Sequence, residues 1–73
     1  MAKPVPAERL IFARNFRQAR KNAGLTQMAI KKLTGFDQSW LSQVENSLSS
    51  ISLDNMAVLA KAVGVPLWKL LLP

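Results

Sequence analysis

Four uncharged polar side chains lie close together in the middle of this sequence of 73 residues. Gln38, Ser39, Ser42 and Gln43 share a segment whose apolar residues, when placed towards a core, leave these four pointing outward. A glutamine amide can bond both polar atoms of an adenine edge at once, so Gln38 and Gln43 are suited to reading bases in a duplex. The pattern predicts a hydrogen-bonding surface for a nucleic acid and not a catalytic centre.

Basic residues are concentrated in the first half of the chain. Residues 1–36 carry eight lysines and arginines against one acid, whereas residues 37–73 carry two against three. The net charge of +6 favours a polyanionic partner, with nucleic acid ahead of an anionic membrane surface. The alternative is a solvated charge that keeps the protein in solution and meets no partner.

The composition excludes several classes of site. The sequence contains no cysteine and no histidine, so it lacks both a disulfide framework and the usual zinc ligands, and no metal or cofactor is expected. With four carboxylates and no imidazole, general acid–base catalysis has few groups to use, and we do not expect an enzyme. No apolar run reaches the roughly 18 residues of a membrane span, and no secretory signal is recognisable, so we expect a cytoplasmic protein without a membrane partner.

Apolar spacing and capping residues predict an all-α chain with five helices. Phe12, Phe16, Ala19 and Ala23 recur at intervals that place them on one face of the first helix. The helix ends are marked by Gly24, Gly35 and Gly64, and the expected N-caps are Thr26, Asp37 and Ser52. The predicted helices cover residues 8–23, 27–34, 38 to about 46, 53–64 and 67–72.

The first seven residues contain two prolines and no periodic pattern. We therefore expect residues 1–7 to form a flexible N-terminal arm and residues 8–73 to form a single domain. Lys3 and Arg9, in or beside the arm, could follow a groove of a duplex, although a disordered tail is the simpler expectation.

Residues 27–46 fit two short helices joined by a sharp turn. Gly35 allows that turn, and Ile30, Phe36, Leu41 and Val44 can close a small core between the helices. This is the arrangement of a helix-turn-helix, whose second helix enters the major groove of DNA. The spacing alone is only moderately specific, because any short helical hairpin can mimic it.

Three further stretches occur in a fixed order, LTQ at 25–27, LSQVE at 41–45 and AKAVGV at 60–65. Together they closely resemble the phage-repressor/Cro-type helix-turn-helix family, also called the XRE family. The resemblance covers about residues 8–72. It implies a five-helix, lambda repressor-like DNA-binding domain with the helix-turn-helix at helices two and three.

The resemblance also implies how DNA would be contacted. Gln38, at the start of helix three, would lead base reading, with Ser39 and Gln43 in support. Gln27 would contact a phosphate and brace Gln38. Asn46, just past helix three, would bond a phosphate of the DNA backbone.

The resemblance further pairs Arg20 with Glu45. The arginine on helix one would meet the glutamate at the end of helix three in a partly buried ion pair that orients the base-reading helix. The alternative for Glu45, a catalytic carboxylate, is disfavoured because no second carboxylate is placed near it.

Four other side chains are candidates for contacts with the DNA backbone. Arg17, Lys32 and Ser42 face outward, although such side chains are often simply solvated. Trp40 either stacks beside the sugar–phosphate backbone or covers the seam between helices two and three.

Three positions depart from the family's pattern. Lys31 replaces a usual alanine, so helices two and three would splay or the lysine stem would extend to solvent. Ser47 replaces the glycine that usually follows helix three, which puts the phosphate contact of Asn46 in doubt. Ile51 replaces a common proline and leaves its loop less rigid.

The C-terminal segment is more apolar than one face of a short helix can bury. Family members commonly dimerise through this end, so Leu67, Trp68 and Leu71 would form a homodimer interface. The alternative is that Leu67, Leu70 and Leu71 complete the core of the monomer and only Trp68 is exposed.

These observations predict a sequence-specific, DNA-binding transcriptional regulator. It would act as a repressor that binds a pseudo-palindromic operator in double-stranded DNA as a dimer. The alternative is an antitoxin-like module that binds a toxin protein and autoregulates its operon.

Overall fold

The computed structural model describes residues 4–73, and Lys3 lies outside them, so the expectation for its side chain is not addressed. These residues form five helices and no strand, which confirms the predicted all-α class. The helices are α1 (Ala7–Asn22), α2 (Gln27–Thr34), α3 (Gln38–Glu45), α4 (Leu53–Ala62) and α5 (Leu67–Leu70).

The helix bounds differ from the predicted ones by one or two residues, and α4 ends at Ala62, two residues early. Helix α1 begins at Ala7, one residue early, because Pro6 takes the N-cap position and the chain turns helical directly after it. Helix α5 ends at Leu70, two residues early. The Asn15 amide of α1 donates to the carbonyls of Leu70, at 3.0 Å, and Leu72, at 2.7 Å, so this end of the chain bonds to α1 instead of extending the helix.

All three predicted N-cap residues take their positions, and two of them make the side-chain capping bond. The Thr26 hydroxyl accepts a hydrogen bond from the Ala29 N–H at 3.0 Å, and the Ser52 hydroxyl accepts one from the Asn55 N–H at 3.1 Å. Asp37 is the N-cap of α3 with extended backbone, but it makes no side-chain capping hydrogen bond. Its carboxylate accepts a hydrogen bond from the nearby Ser39 hydroxyl instead.

Helices α1, α3 and α4 end in the same Schellman motif, in which the residue after the C-cap is left-handed. Gly24 and Gly64 take this position after α1 and α4, with φ of 72° and 73°. After α3 the position belongs to Ser47, with φ of 59°, and the Leu48 N–H donates to the Gln43 carbonyl at 2.8 Å. The motif therefore forms after α3 without the usual glycine.

The core is built from all five helices. Helix α1 packs against α3 and α5, α2 packs against α3 and α4, and α4 packs against α5. The rings of Phe12 and Phe16 lie parallel with centroids 5.9 Å apart. The fully or nearly fully buried apolar side chains are Phe12, Ala13, Phe16, Ile30, Leu41, Val44, Leu59, Ala60, Val63 and Leu70.

Among residues 4–73, no helix is long and apolar enough to cross a membrane. The longest, α1, has 16 residues and carries several charged side chains.

Candidate nucleic-acid interface

Helix α3 divides into a buried face and an exposed polar face. Leu41, Val44 and Glu45 are buried on the inner face. Gln38, Ser39 and Gln43 are exposed, and Ser42 is half-buried beside them, so the structure places the predicted base-reading side chains on one accessible surface. Because the inner face is anchored in the core, the outer face is held at a fixed orientation.

An ion pair holds the C-terminal end of α3 against α1. The Arg20 guanidinium binds both carboxylate oxygens of Glu45, with Nε–Oε2 of 2.7 Å and Nη2–Oε1 of 2.9 Å. The two side chains are 11% and 3% exposed. Arg20 Nη1 also donates to the Leu25 carbonyl at 2.9 Å, so one arginine joins α1, α3 and the loop before α2.

Arg17 lies next to this pair and remains largely in solvent. Its Nε is 4.0 Å from Glu45 Oε1, and its side chain is 53% exposed. The distance is too long for a strong hydrogen bond. The guanidinium therefore keeps most of its donors available for an anionic partner.

A second carboxylate lies at the N-terminal end of the exposed face. The Ser39 hydroxyl donates to the Asp37 carboxylate, and this hydrogen bond is the main cause that holds the pKa of Asp37 below its ordinary value. Slight desolvation acts in the opposite direction, while the Lys31 charge and the nearby N–H groups of Trp40 and Ser39 lower the pKa further. The Ser39 hydroxyl proton is thus engaged, and its oxygen is left to accept.

Trp40 supports α3 from the side of α2. Its ring lies 4.9 Å from the Phe36 ring, centroid to centroid, and it packs half-buried against the core. In this arrangement Trp40 covers the seam between α2 and α3, which is one of the two roles predicted for it. The other predicted role is stacking on the DNA backbone. The remaining exposed edge of Trp40 leaves the backbone contact as a proposal.

Two more of the side chains predicted to contact the DNA backbone, Asn46 and Gln27, lie at ends of the two motif helices. Asn46 is exposed, and its amide donates to the Ser42 carbonyl at 2.8 Å. Gln27 is half-buried at the start of α2, and no hydrogen bond joins it to Gln38 within the described part of the chain. The brace between the two glutamines stays a prediction for the DNA-bound protein.

Exposed basic side chains lie on α1 and α2. Arg14, Arg17 and Lys21 are exposed on α1, and Lys31 and Lys32 are exposed on α2. The stem of Lys31 extends to solvent, which is the second of the two outcomes expected for this departure from the family pattern.

Sequence reasoning missed the two polar side chains that tie α1 to distant segments. Arg9 lies half-buried in α1, beside the predicted arm, and its Nη2 donates to the Ser47 carbonyl at 3.4 Å. Asn15 anchors the chain after α5, as described above. Both contacts join residues more than 35 positions apart, so no local pattern could have indicated them.

The C-terminal apolar residues divide between core and surface. Leu70 is buried, and Leu67 and Leu71 pack half-buried against the core. Trp68 is 60% exposed, and the Lys69 ammonium lies 5.6 Å from its ring centroid. Leu72 is also exposed. Because Leu67, Leu70 and Leu71 contribute to the core, the exposed apolar surface at this end is smaller than expected, but it includes the large Trp68 ring.

A family model described as a helix-turn-helix domain matches residues 11–68, which include α2, α3 and most of the supporting helices. The chain belongs to the helix-turn-helix domain family. In this helix-turn-helix domain, α2 and α3 form the motif.

Relatives of this helix-turn-helix domain include regulators of transcription. The Neisseria hypothetical transcription factor of Neisseria meningitidis serogroup B is 37% identical over 65 residues, which are 89% of this chain and 61% of that protein. The chain thus spans less than two thirds of that relative. The crystal structure of the hypothetical transcription factor NHTF from Neisseria matches with a TM-score of 0.84 and 34% identity, over 100% of this chain and 87% of the other.

Two controller proteins of restriction-modification systems share the fold. C.AhdI from Aeromonas hydrophila matches with a TM-score of 0.80 and 31% identity, over 89% of this chain and 98% of that one. The C.Esp1396I tetramer, solved in complex with its natural 35 base-pair operator, matches with a TM-score of 0.80, over 93% and 99% of the two chains. At 16% identity the latter shows the fold alone. These matches confirm the phage-repressor-type assignment and the lambda repressor-like fold.

Proposed function

We propose that this protein is a sequence-specific DNA-binding regulator of transcription. The observation that carries the proposal is the exposed, uncharged face of α3, which a buried apolar face and the Arg20–Glu45 ion pair hold in place. A helix fixed in this way can present Gln38, Ser39 and Gln43 to base edges in the major groove. The proposal assigns no catalytic step and no cofactor to the chain.

Affinity and sequence choice would come from different side chains. Phosphate contacts supply affinity that does not depend on sequence, and base contacts supply specificity. We assign phosphate contacts to Gln27, Arg17, Lys32, Ser42 and Asn46 and to the exposed edge of Trp40. Because these groups lie on α1, on α2 and along α3 itself, the duplex would be held while α3 reads it.

We further propose a homodimer that acts as a repressor by occupying a pseudo-palindromic operator. Trp68 and the outer edges of Leu67 and Leu71 would form the two-fold contact. A two-fold dimer presents its reading helices to half-sites about 34 Å apart, one turn of the duplex. The operator complex of C.Esp1396I supports the use of this fold on DNA as an assembly of several copies.

The proposal places the protein in the cytoplasm, on the DNA that it regulates. The antitoxin-like alternative, with a toxin protein as the main partner, stays a prediction, since no contact or surface in residues 4–73 favours it over operator binding.

The proposal is tested by selecting binding sites from random double-stranded DNA at near-physiological salt. We expect a palindromic consensus whose half-sites are centred about one helical turn apart. Enrichment of a single half-site would overturn the dimer. No enrichment at all would overturn sequence-specific binding and leave only a basic domain that binds DNA without preference.

A further inference from the structure

Arg9 of α1 contacts Ser47, just past the C-terminal end of α3, although the two residues are 38 positions apart in the sequence. Its Nη2 donates to the Ser47 carbonyl at 3.4 Å. Its Nε is buried and finds no hydrogen-bond partner among residues 4–73. The guanidinium is therefore held in the seam between α1 and the end of α3 and is not simply solvated.

The carbonyl that Arg9 meets belongs to a residue in an unfavourable conformation. Ser47 has φ of 59°, and a side chain with a Cβ in this region is strained by about 1–2 kcal/mol relative to right-handed backbone. The strained residue closes the Schellman motif, because its own N–H donates to the Val44 carbonyl and the Leu48 N–H donates to the Gln43 carbonyl. A contact from outside the motif would help to keep it closed.

Helix α3 also lacks a cation of its own at its C-terminal end. Helices α1, α2, α4 and α5 each carry a basic residue in the last turn, whereas α3 carries none. A positive charge at a helix C-terminus interacts favourably with the helix dipole and with the last carbonyls. Arg9 is placed to supply this charge from α1.

We propose that Arg9 is a positioning residue for base reading, which holds the C-terminal cap of α3 and thereby the adjacent Asn46 and Gln43. The proposal rests on the proposed function, since it concerns the helix that would read DNA. Arg9 acts through the Ser47 carbonyl and does not itself contact the duplex.

The test compares Arg9→Met, which removes the charge and the donors, with Arg9→Lys, which keeps a cation and can still donate to the Ser47 carbonyl. Arg14→Met is the matched control, because Arg14 is exposed on the same helix. Two measurements are made on each variant. The first is amide hydrogen exchange, and the second is affinity for the selected DNA site as a function of salt.

Hydrogen exchange has an internal control, because the Leu25, Leu48 and Val65 amides close the same motif after α1, α3 and α4. Arg9→Met should speed exchange of the Leu48 amide about tenfold relative to those of Leu25 and Val65. Arg9→Lys should restore most of the protection, and Arg14→Met should leave Leu48 unchanged. Equal acceleration at all three amides, or none at Leu48, would overturn the proposal.

In DNA binding, Arg9→Met should lose about tenfold in affinity for the selected site, with an unchanged slope of log affinity against log salt. A slope reduced by about 0.9, the value of one phosphate contact, would show direct contact with the duplex and overturn the positioning role. If the unaltered protein selects no site, the proposed function fails, and the exchange of Leu48 still decides the role of Arg9.

Discussion

Ser47, the residue after the C-cap of α3, has a strained backbone conformation with positive φ. It occupies the position that Gly24 and Gly64 occupy after α1 and α4, and all three have positive φ. Only serine carries a Cβ there, so the end of α3 is the strained one of the three. The Schellman hydrogen bonds beside Asn46 nevertheless form at ordinary length.

Ser47→Gly should therefore stabilise the domain by about 1 kcal/mol and raise its Tm by about 4–8 °C. The matched substitution Gly64→Ala should destabilise it by a similar amount. The added Cβ at residue 64 meets no atom within 4 Å, so only backbone strain differs. Thermal unfolding of the two variants checks the pair, and a destabilised Ser47→Gly would contradict the strain.

Ser39 and Asp37 form a second residue-scale unit. Because the pKa of Asp37 is lowered first by the Ser39 hydroxyl, Ser39→Ala should raise that pKa towards its ordinary value. A lowered carboxyl pKa stabilises the fold above the pKa of the unfolded chain, and this contribution is lost as the pH falls through the folded value. An NMR titration of the Asp37 carboxyl carbon measures the shift, and an unchanged midpoint in Ser39→Ala would remove Ser39 as its cause.

At the scale of helices, what decides the site is how α3 is fixed to its neighbours. The local pattern was sufficient for α2 and α3, because Thr26 and the apolar spacing act within a few residues. It placed Asp37 at the N-cap of α3 but did not indicate that the Ser39 hydroxyl, two residues away, would bond its carboxylate. It failed for the end of α5 and for the contact that Arg9 makes, where the partners come from segments far away in sequence.

The Arg20–Glu45 pair should behave as one unit. Removing one partner leaves a buried charge, so Arg20→Met or Glu45→Gln should each cost about 3–5 kcal/mol. The double variant should lose clearly less free energy of unfolding than the two single variants lose together, because no charge is then buried without its partner. Urea unfolding of the four proteins gives the cycle. Additive losses would mean that the two side chains act independently.

At the scale of the whole molecule, most of the basic side chains and the exposed aromatic ring lie on different elements. The basic side chains lie mainly on α1 and α2, while the exposed aromatic ring lies on α5. A molecule with this division can bind DNA through one surface and a second copy through another. The sequence predicted the division but not how much of Leu67 and Leu71 the core would cover, since that depends on where α1 and α4 pack.

The homodimer predicts a specific effect of Trp68→Ser. Losing an interface aromatic commonly costs about 2 kcal/mol of association, so the dimer should weaken by a factor of about 30. Leu33→Ser is the matched control, because Leu33 is 62% exposed against 60% for Trp68 and lies on α2. Sedimentation equilibrium compares both with the unaltered protein. Equal association in all three would exclude α5 from the interface.

The central claim is that the uncharged face of α3 chooses the DNA sequence while the basic side chains around it supply affinity. Binding-site selection with Gln38→Ala and Arg17→Ala tests this claim most directly. Gln38→Ala should lose about 1–3 kcal/mol of discrimination at one base position in each half-site. Arg17→Ala should weaken binding to all sequences alike and reduce the salt slope by about 0.9. Base preferences that survive at every position in Gln38→Ala would contradict the account.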